Sequence, residues 1–392
     1  MHARSIVWRS LALRVFSALS LLWLAACDTT ALSPNANVGP QIDAEAPVQV
    51  ALLVPGGSGA GSDAFLARNL ENAARLAIAD LDGADIRLQV YNTGGNPAVA
   101  ADVARRAVDE GAQIILGPLF AEAAVSAGVA VADRNVNVLA FSNNPTIAGG
   151  NVFVLGATFD NTANRLAQYA SRQGISRYLV VNGDDVGGNV GRNAITSAVQ
   201  RNGGQVIGNE SYSLSQQGVV SAAGRIAAAA RNADAIFMTA SVNAELPILA
   251  TSLPEAGIDT STTRFIGLTR WDAAPQALAL PGLQGGLFAV PDQGRAGLFA
   301  NRYSATYGEA PHPLAGLAYD GIAAIGALVA AGNENALTKA ALTTPQGFQG
   351  TSGAFRLLRN GLNERALAVA TIQNNQVVIL EQAPRNFGGF GF

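Results

Sequence analysis

Few residues in this chain have types and spacings that could do chemistry. His312 is the one histidine beyond the amino-terminal segment, and it stands between Pro311 and Pro313. A serine, histidine and aspartate relay would have to use it, and no G-x-S-x-G elbow accompanies it; it reads as a surface-loop residue. Cys27 is the only cysteine, so a zinc site would lack its usual ligands. Asp184 and Asp185 are adjacent in the turn Asn182-Gly183-Asp184-Asp185-Val186-Gly187, where Asp is favoured because its side chain bonds the local backbone, and one such pair supplies too few oxygens for calcium. The loop Gly56-Gly57-Ser58-Gly59-Ala60-Gly61-Ser62-Asp63 invites a phosphate-cradle reading. It fits neither G-x-G-x-x-G nor a P-loop, and reads instead as a rim loop with Ser62 or Asp63 capping a helix. These observations predict no catalytic residue, no metal site and no cofactor.

What remains is a set of polar groups just past strand ends. The run Ile114-Ile115-Leu116-Gly117-Pro118-Leu119-Phe120 reads as a buried strand entering a turn, because Pro lacks the N–H that a sheet interior demands. Phe120, Ala121 and Glu122 follow its carboxyl end, where open α/β sheets bind ligands. The same unit recurs. Strands at 48–55, 86–91, 113–116 and 136–140 alternate with helical patterns at 65–81, 97–110 and 121–134, and the fourth strand ends in Phe141-Ser142-Asn143-Asn144-Pro145. A second series follows, with helices at 158–173, 191–201, 219–231 and 246–256 and strands at 177–181, 205–212, 235–239, 264–267 and 286–290. Alternation of this kind predicts two doubly wound parallel sheets. Two more helices, at 298–307 and 314–331, precede an extended crossover at 348–356 and a β-hairpin turning at Asn374-Asn375. The terminal run from Phe387 to Phe392 reads as a loose tail or a docking peptide.

The first residues bear on compartment. Arg4, Arg9 and Arg14 precede the apolar run 15–24, too short for a comfortable span and suited to a signal peptide. Leu24-Ala25-Ala26-Cys27 resembles a bacterial lipobox, whose thiol would carry the lipid; ordinary secretory cleavage with a leftover thiol is the competing reading. Asp28 resembles an inner-membrane retention signal of enteric bacteria, and the choice of inner or outer membrane stays open. The expectation is a protein lipid-anchored in the cell envelope and facing the periplasm. Residues 29–47 have the composition of a flexible tether. A net charge of −3 with 14% charged residues argues against a nucleic-acid partner, which would require a basic face.

Taken together, the lipobox, VALLVP, IILGPLF, LAFSNNP, LAYDGIAAI and FQGTSGAFRLLRNG resemble the type I periplasmic binding fold, within its leucine-binding-protein-like group. The chain looks most like the lipoprotein branch known as penicillin-binding protein activators. The resemblance implies two α/β lobes joined by three crossovers, near Gly156, Pro291 and Gln346, around a cleft closed by a hinge. The divisions expected are a signal peptide at 1–26, a tether at 27–47, lobe 1 at 48–157 plus 292–345, lobe 2 at 158–291 plus 346–382, and a tail at 383–392.

Amino-acid receptors of this group hold the ligand carboxylate with hydroxyls after the third and fourth strands, hold its ammonium with a carboxylate, and close an aromatic over it. Carried over by motif, these positions are Ala121 with Glu122, the trio Ser142, Asn143 and Asn144, and, in the second lobe, Asp184, Val186, Trp271 and Asp272. No hydroxyl follows the third strand, and Val186 stands where many relatives have Tyr. Asp272 could meet an ammonium and Trp271 could stack on a ligand. The departures point to regulation of peptidoglycan synthesis through a penicillin-binding protein. The alternative is a solute receptor serving an ABC permease for branched-chain amino acids, amides or related solutes. Asp320, after Tyr319, reads as a structural anchor beneath the cleft.

Overall fold

A computed structural model describes residues 39–43 and 45–387. The expected signal peptide, the lipidation site Cys27 and most of the expected tether lie outside the described residues. The last part of that tether is not loose: Ile42 is buried in the first core, and its N–H donates to the Glu334 carbonyl at 2.8 Å.

Two parallel sheets organise the chain. The first contains β1 (Val48–Val54), β2 (Ile86–Asn92), β3 (Ile114–Leu116), β4 (Asn137–Ala140) and β5 (Val152–Val154), in the order β2-β1-β3-β4-β5. Strand β1 is apolar on both faces because both are covered. Val50 and Leu52 pack toward α1 (Gly61–Ala79), and Ala51 and Leu53 pack toward α2 (Pro97–Asp109) and α3 (Ala121–Val131). Helix α1 begins at Gly61, and its N-cap, Ala60, makes no side-chain cap bond. Capping by Ser62 or Asp63 is therefore incorrect; both residues already lie inside the first turn.

The second sheet follows after α4 (Phe159–Arg172), with β6 (Arg177–Gly183), α5 (Val186–Arg201), β7 (Gln205–Tyr212), α6 (Gln216–Ala229), β8 (Ala235–Met238), α7 (Glu245–Glu255), β9 (Arg264–Gly267) and β10 (Leu287–Val290). Helix α4 starts in a capping box: Thr158 accepts the Asn161 N–H, and the Asn161 side chain accepts the Thr158 N–H. Strands β7, β6, β8, β9 and β10 are parallel. Tyr178 and Val180 face α4 and α5, whereas Leu179 and Val181 face α6 and α7.

The chain then returns to the first sheet with α8 (Gln293–Tyr307), α9 (Ala315–Ala330) and the short α10 (Lys339–Leu342). Helix α9 sits close because it carries Gly321 against Leu116 and Gly326 against Leu81, where an added Cβ would collide with either leucine. Residues expected as one extended crossover instead build a small antiparallel sheet of β11 (Phe348–Gly350), β12 (Gly353–Leu357) and β13 (Asn363–Arg365). Its side chains alternate between the cores. Phe355 and Leu357 enter the first, while Ala354 enters the second. A boundary at residue 346 therefore does not separate the cores; this sheet belongs to both.

The second sheet closes with the hairpin β14 (Ala368–Gln373) and β15 (Gln376–Glu381), antiparallel to β10. Asn374 and Asn375 have φ of 52° and 61°, the left-handed pair that a tight hairpin turn requires. The reading of a loose tail from 383 is corrected at its start. Ala383 and Phe387 are buried against the second core, with the Arg356 guanidinium 4.9 Å from the Phe387 ring centroid.

Candidate functional site

In a parallel sheet every carboxyl end emerges on one edge, so sequence-distant turns become neighbours. On the first sheet this edge carries the turn after β2, the Phe120–Glu122 segment after β3 and the Ser142–Asn144 turn after β4. On the second it carries Asn182–Val186 at the carboxyl end of β6 and Leu268–Asp272 after β9. Two of the passages between the sheets leave a strand's carboxyl end and enter a helix amino terminus, from β5 into α4 and from β10 into α8. Both carboxyl edges consequently adjoin the connections.

On the first edge, the Gly117–Pro118 peptide is cis and Gly117 has φ of 87°. A Cβ there would collide with the Leu53 carbonyl, so only glycine lets the strand turn this closely over β1. Phe120 is the N-cap of α3 and is exposed, its ring resting on the Gly95 turn. Glu122 is exposed in the first turn of α3 and makes no ion pair among the described residues. The positive end of the helix dipole favours its charge there. Ala121, half-buried, offers no hydroxyl. In the next turn Ser142 is buried and its Oγ accepts the Asn144 N–H at 3.1 Å. Asn144 Oδ1 accepts from the Thr146 N–H and hydroxyl at 3.0 and 2.8 Å. Two of the three polar side chains thus shape their own turn, and Asn143 is exposed.

On the second edge, Asp185 caps α5, its Oδ1 accepting the Gly188 N–H at 2.8 Å. Asp184 projects into solvent with only its N–H engaged, by the Tyr212 carbonyl at 2.9 Å. Val186 is 82% exposed. Asn182 is buried, its Nδ2 bonded to the Gly183 carbonyl and its Oδ1 without a partner.

The readings for Trp271 and Asp272 are corrected. Trp271 is 0% exposed and stacks on Phe288 with ring centroids 5.4 Å apart. It fills a slot left by Gly267 and Gly286, where any Cβ would strike the indole, so it is core and cannot stack on a ligand. Asp272 is held by Arg270, through Nε at 3.0 Å and Nη2 at 2.5 Å, and a carboxylate so engaged is a poor ammonium partner. His312 is not simply a surface residue. It is half-buried, its Nδ1 accepts the Leu314 N–H at 3.1 Å, and burial lowers its pKa, which favours the neutral ring.

One structural residue beside the connections is not marked by any sequence motif. Arg365 donates from Nε and Nη2 to the Leu155 carbonyl, at 3.0 and 2.6 Å, and from Nη1 to Asp320 Oδ2 at 2.9 Å. Asp320 Oδ1 accepts the Thr351 N–H at 2.6 Å. Asn363 Nδ2 reaches the carbonyls of Val154 and Gly156, and the Asp292 N–H donates to the Ser352 carbonyl. Asp320 thus does serve as an anchor, and with Arg365 it makes a bracket that ties the first and third connections, to which the second is joined by the Asp292–Ser352 backbone bond. Arg365 follows the polar run Arg359-Asn360-Gly361-Leu362-Asn363-Glu364, so nothing local distinguishes it from a surface charge.

Among the described residues no helix is long and apolar enough to cross a membrane, and no cluster of three or more His, Cys, Asp or Glu could hold a metal. Comparison with curated proteins finds no match. Among solved structures, the chain resembles a putative branched-chain amino acid ABC transporter protein from Rhodospirillum rubrum. The identity is 17% over 86% of this chain and 100% of that one, with a TM-score of 0.71. An ABC transporter substrate-binding protein from Desulfitobacterium hafniense, in complex with Leu, is 18% identical over 86% and 100% of the chains, with a TM-score of 0.60. A solute-binding protein from R. palustris, in complex with benzoate, is 15% identical over 88% and 98%, with a TM-score of 0.56. Residues 47–376 match the periplasmic binding protein family, spanning both parallel sheets and the connections between them, and the chain belongs to that family.

Proposed function

We propose that this protein is a non-catalytic, periplasm-facing solute receptor, which closes its two lobes on a small molecule for an ABC permease. The resemblance to solute-binding proteins of transporters supports this reading over regulation of a penicillin-binding protein. The observation that carries it is the pairing of two parallel sheets whose carboxyl edges adjoin the connections from β5 into α4 and from β10 into α8.

The ligand is an amide or related solute rather than a free aliphatic amino acid. Ala121 and Glu122 stand where a carboxylate would seek hydroxyls. A carboxylate about 4 Å from Glu122 would cost about 1 kcal/mol in water and about 4 kcal/mol where the cleft excludes solvent. Asn143 supplies hydrogen-bonding capacity of both kinds, and Val186 leaves the second edge without an aromatic lid. A thermal-shift comparison of leucine with leucinamide tests this, because a ligand that binds only the folded form raises the melting temperature. Leucinamide is expected to give the larger shift, and Glu122→Gln to reduce the difference. A larger shift with leucine in the parent protein overturns the reading.

A further inference from the structure

A cavity of about 510 Å³ opens on the flank of the second sheet's helix layer, between α4 and the β12–β13 hairpin. It is distinct from the cleft edge, and its size falls within the range of about 300–1,000 Å³ usual for small-molecule pockets. Asp160, Asn164 and Gln168 recur every fourth residue along one face of α4, which spaces them over about 12 Å at the helical rise. Below them the hairpin edge is sealed: Asn161 Nδ2 donates to the Asn363 carbonyl at 3.0 Å, and Arg165 Nε donates to the Leu367 carbonyl at 2.7 Å.

Several lining groups remain unused among the described residues. The Gln168 side chain makes no hydrogen bond although the residue is half-buried, and neither Arg201 nor Asp160 has an ion-pair partner. Asn363, 4% exposed, spends both amide hydrogens on the Val154 and Gly156 carbonyls and so fixes this wall of the cavity. The remaining charges are already neutralised, Arg165 by Glu381 at 2.8 Å and Arg356 by Glu364 at 2.6 Å.

We propose that this cavity is a second binding site, for a neutral polyhydroxyl compound of mono- or disaccharide size. Amides, one free guanidinium and one free carboxylate present donors and acceptors together, and each hydroxyl group can serve either kind. An anion would meet Asp160, a cation would meet Arg201, and an apolar ligand would desolvate both without replacing their hydrogen bonds. Leu358 and Leu362 supply apolar wall for the faces of a sugar ring.

The test is calorimetric titration of the full-length protein with trehalose, N-acetylglucosamine and, as a zwitterionic control, glycine betaine. At least one sugar is expected to bind with one-to-one stoichiometry at millimolar or lower concentration. The double variant Gln168→Ala, Arg201→Ala, at positions outside the hydrophobic cores, is expected to weaken it at least tenfold, whereas Glu122→Gln at the cleft leaves it unchanged. Absence of sugar binding, binding of betaine alone, or a double variant that binds as the parent does would overturn the proposal. Loss of sugar binding in Glu122→Gln alone would place the sugar in the cleft and overturn it equally, so failure here is separable from failure of the receptor reading.

Discussion

Removing the guanidinium of Arg365 by substitution to Met should be among the most destabilising single changes in the molecule. The side chains of Arg365 and Asp320 expose 5% and 1% of their surfaces, so water replaces little of what is lost. In Arg365→Met, Asp320 keeps the Thr351 N–H but loses its counter-charge, and the Leu155 carbonyl loses both donors. Stranding one partner of a buried pair costs about 3–5 kcal/mol. The orphaned carbonyl belongs to the same network, so its own cost of about 1–3 kcal/mol is not added in full. Asp320→Asn keeps an acceptor for Thr351 and strands Arg365 instead. The double variant Asp320→Asn, Arg365→Met removes both charges and should recover part of the loss, because a buried pair replaced as a unit is often close to neutral. Urea unfolding read by far-ultraviolet circular dichroism measures all three variants against the exposed control Arg105→Ala. A loss below about 1 kcal/mol for Arg365→Met, the range of a surface pair, would refute the idea that this bracket holds the connections together.

Two further outcomes follow from the same geometry. Once a leader containing Trp8 and Trp23 is removed, Trp271 is the one tryptophan left; its emission should be blue-shifted and shielded from iodide, and Trp271→Ala should cost about 3–5 kcal/mol. Emission at the wavelength of exposed indole would contradict its placement in the core. Burial opposes ionisation of Asp234, but hydrogen bonds from Arg177 and Ser176 outweigh it and hold the carboxyl well below the usual carboxylate range. Its stabilising contribution is therefore complete above the unfolded pKa of about 4 and is lost as pH falls through the lower folded value. Asp234→Asn should be less stable than the parent at neutral pH, with a gap that narrows as acid is added; a gap independent of pH would contradict this.

The sequence was informative where local chemistry determines structure. The alternation of apolar runs with helical patterns, the Gly117-Pro118 strand end and the Asn374-Asn375 turn each follow from backbone preferences of the residues on the spot. Trp271 was misread because a tryptophan just beyond a strand end carries no local mark of burial. The slot that receives it is made by Gly267 and by Gly286 from the neighbouring strand's approach. Ser142 and Asn144 have the right types for a ligand turn, and only the coordinates show those groups spent on N–H donors two residues on. Arg365 reaches a carbonyl 210 residues away, a partnership that no periodicity encodes. The small sheet shared by the two cores escaped notice for a similar reason, since its strands alternate between two hydrophobic interiors that the sequence presents as one.

The receptor account rests on lobes that close upon a ligand, and small-angle X-ray scattering measures this most directly. With leucinamide at saturation the radius of gyration should fall relative to the free protein. An unchanged radius of gyration at a concentration where calorimetry records leucinamide bound would contradict closure of the two lobes on a ligand.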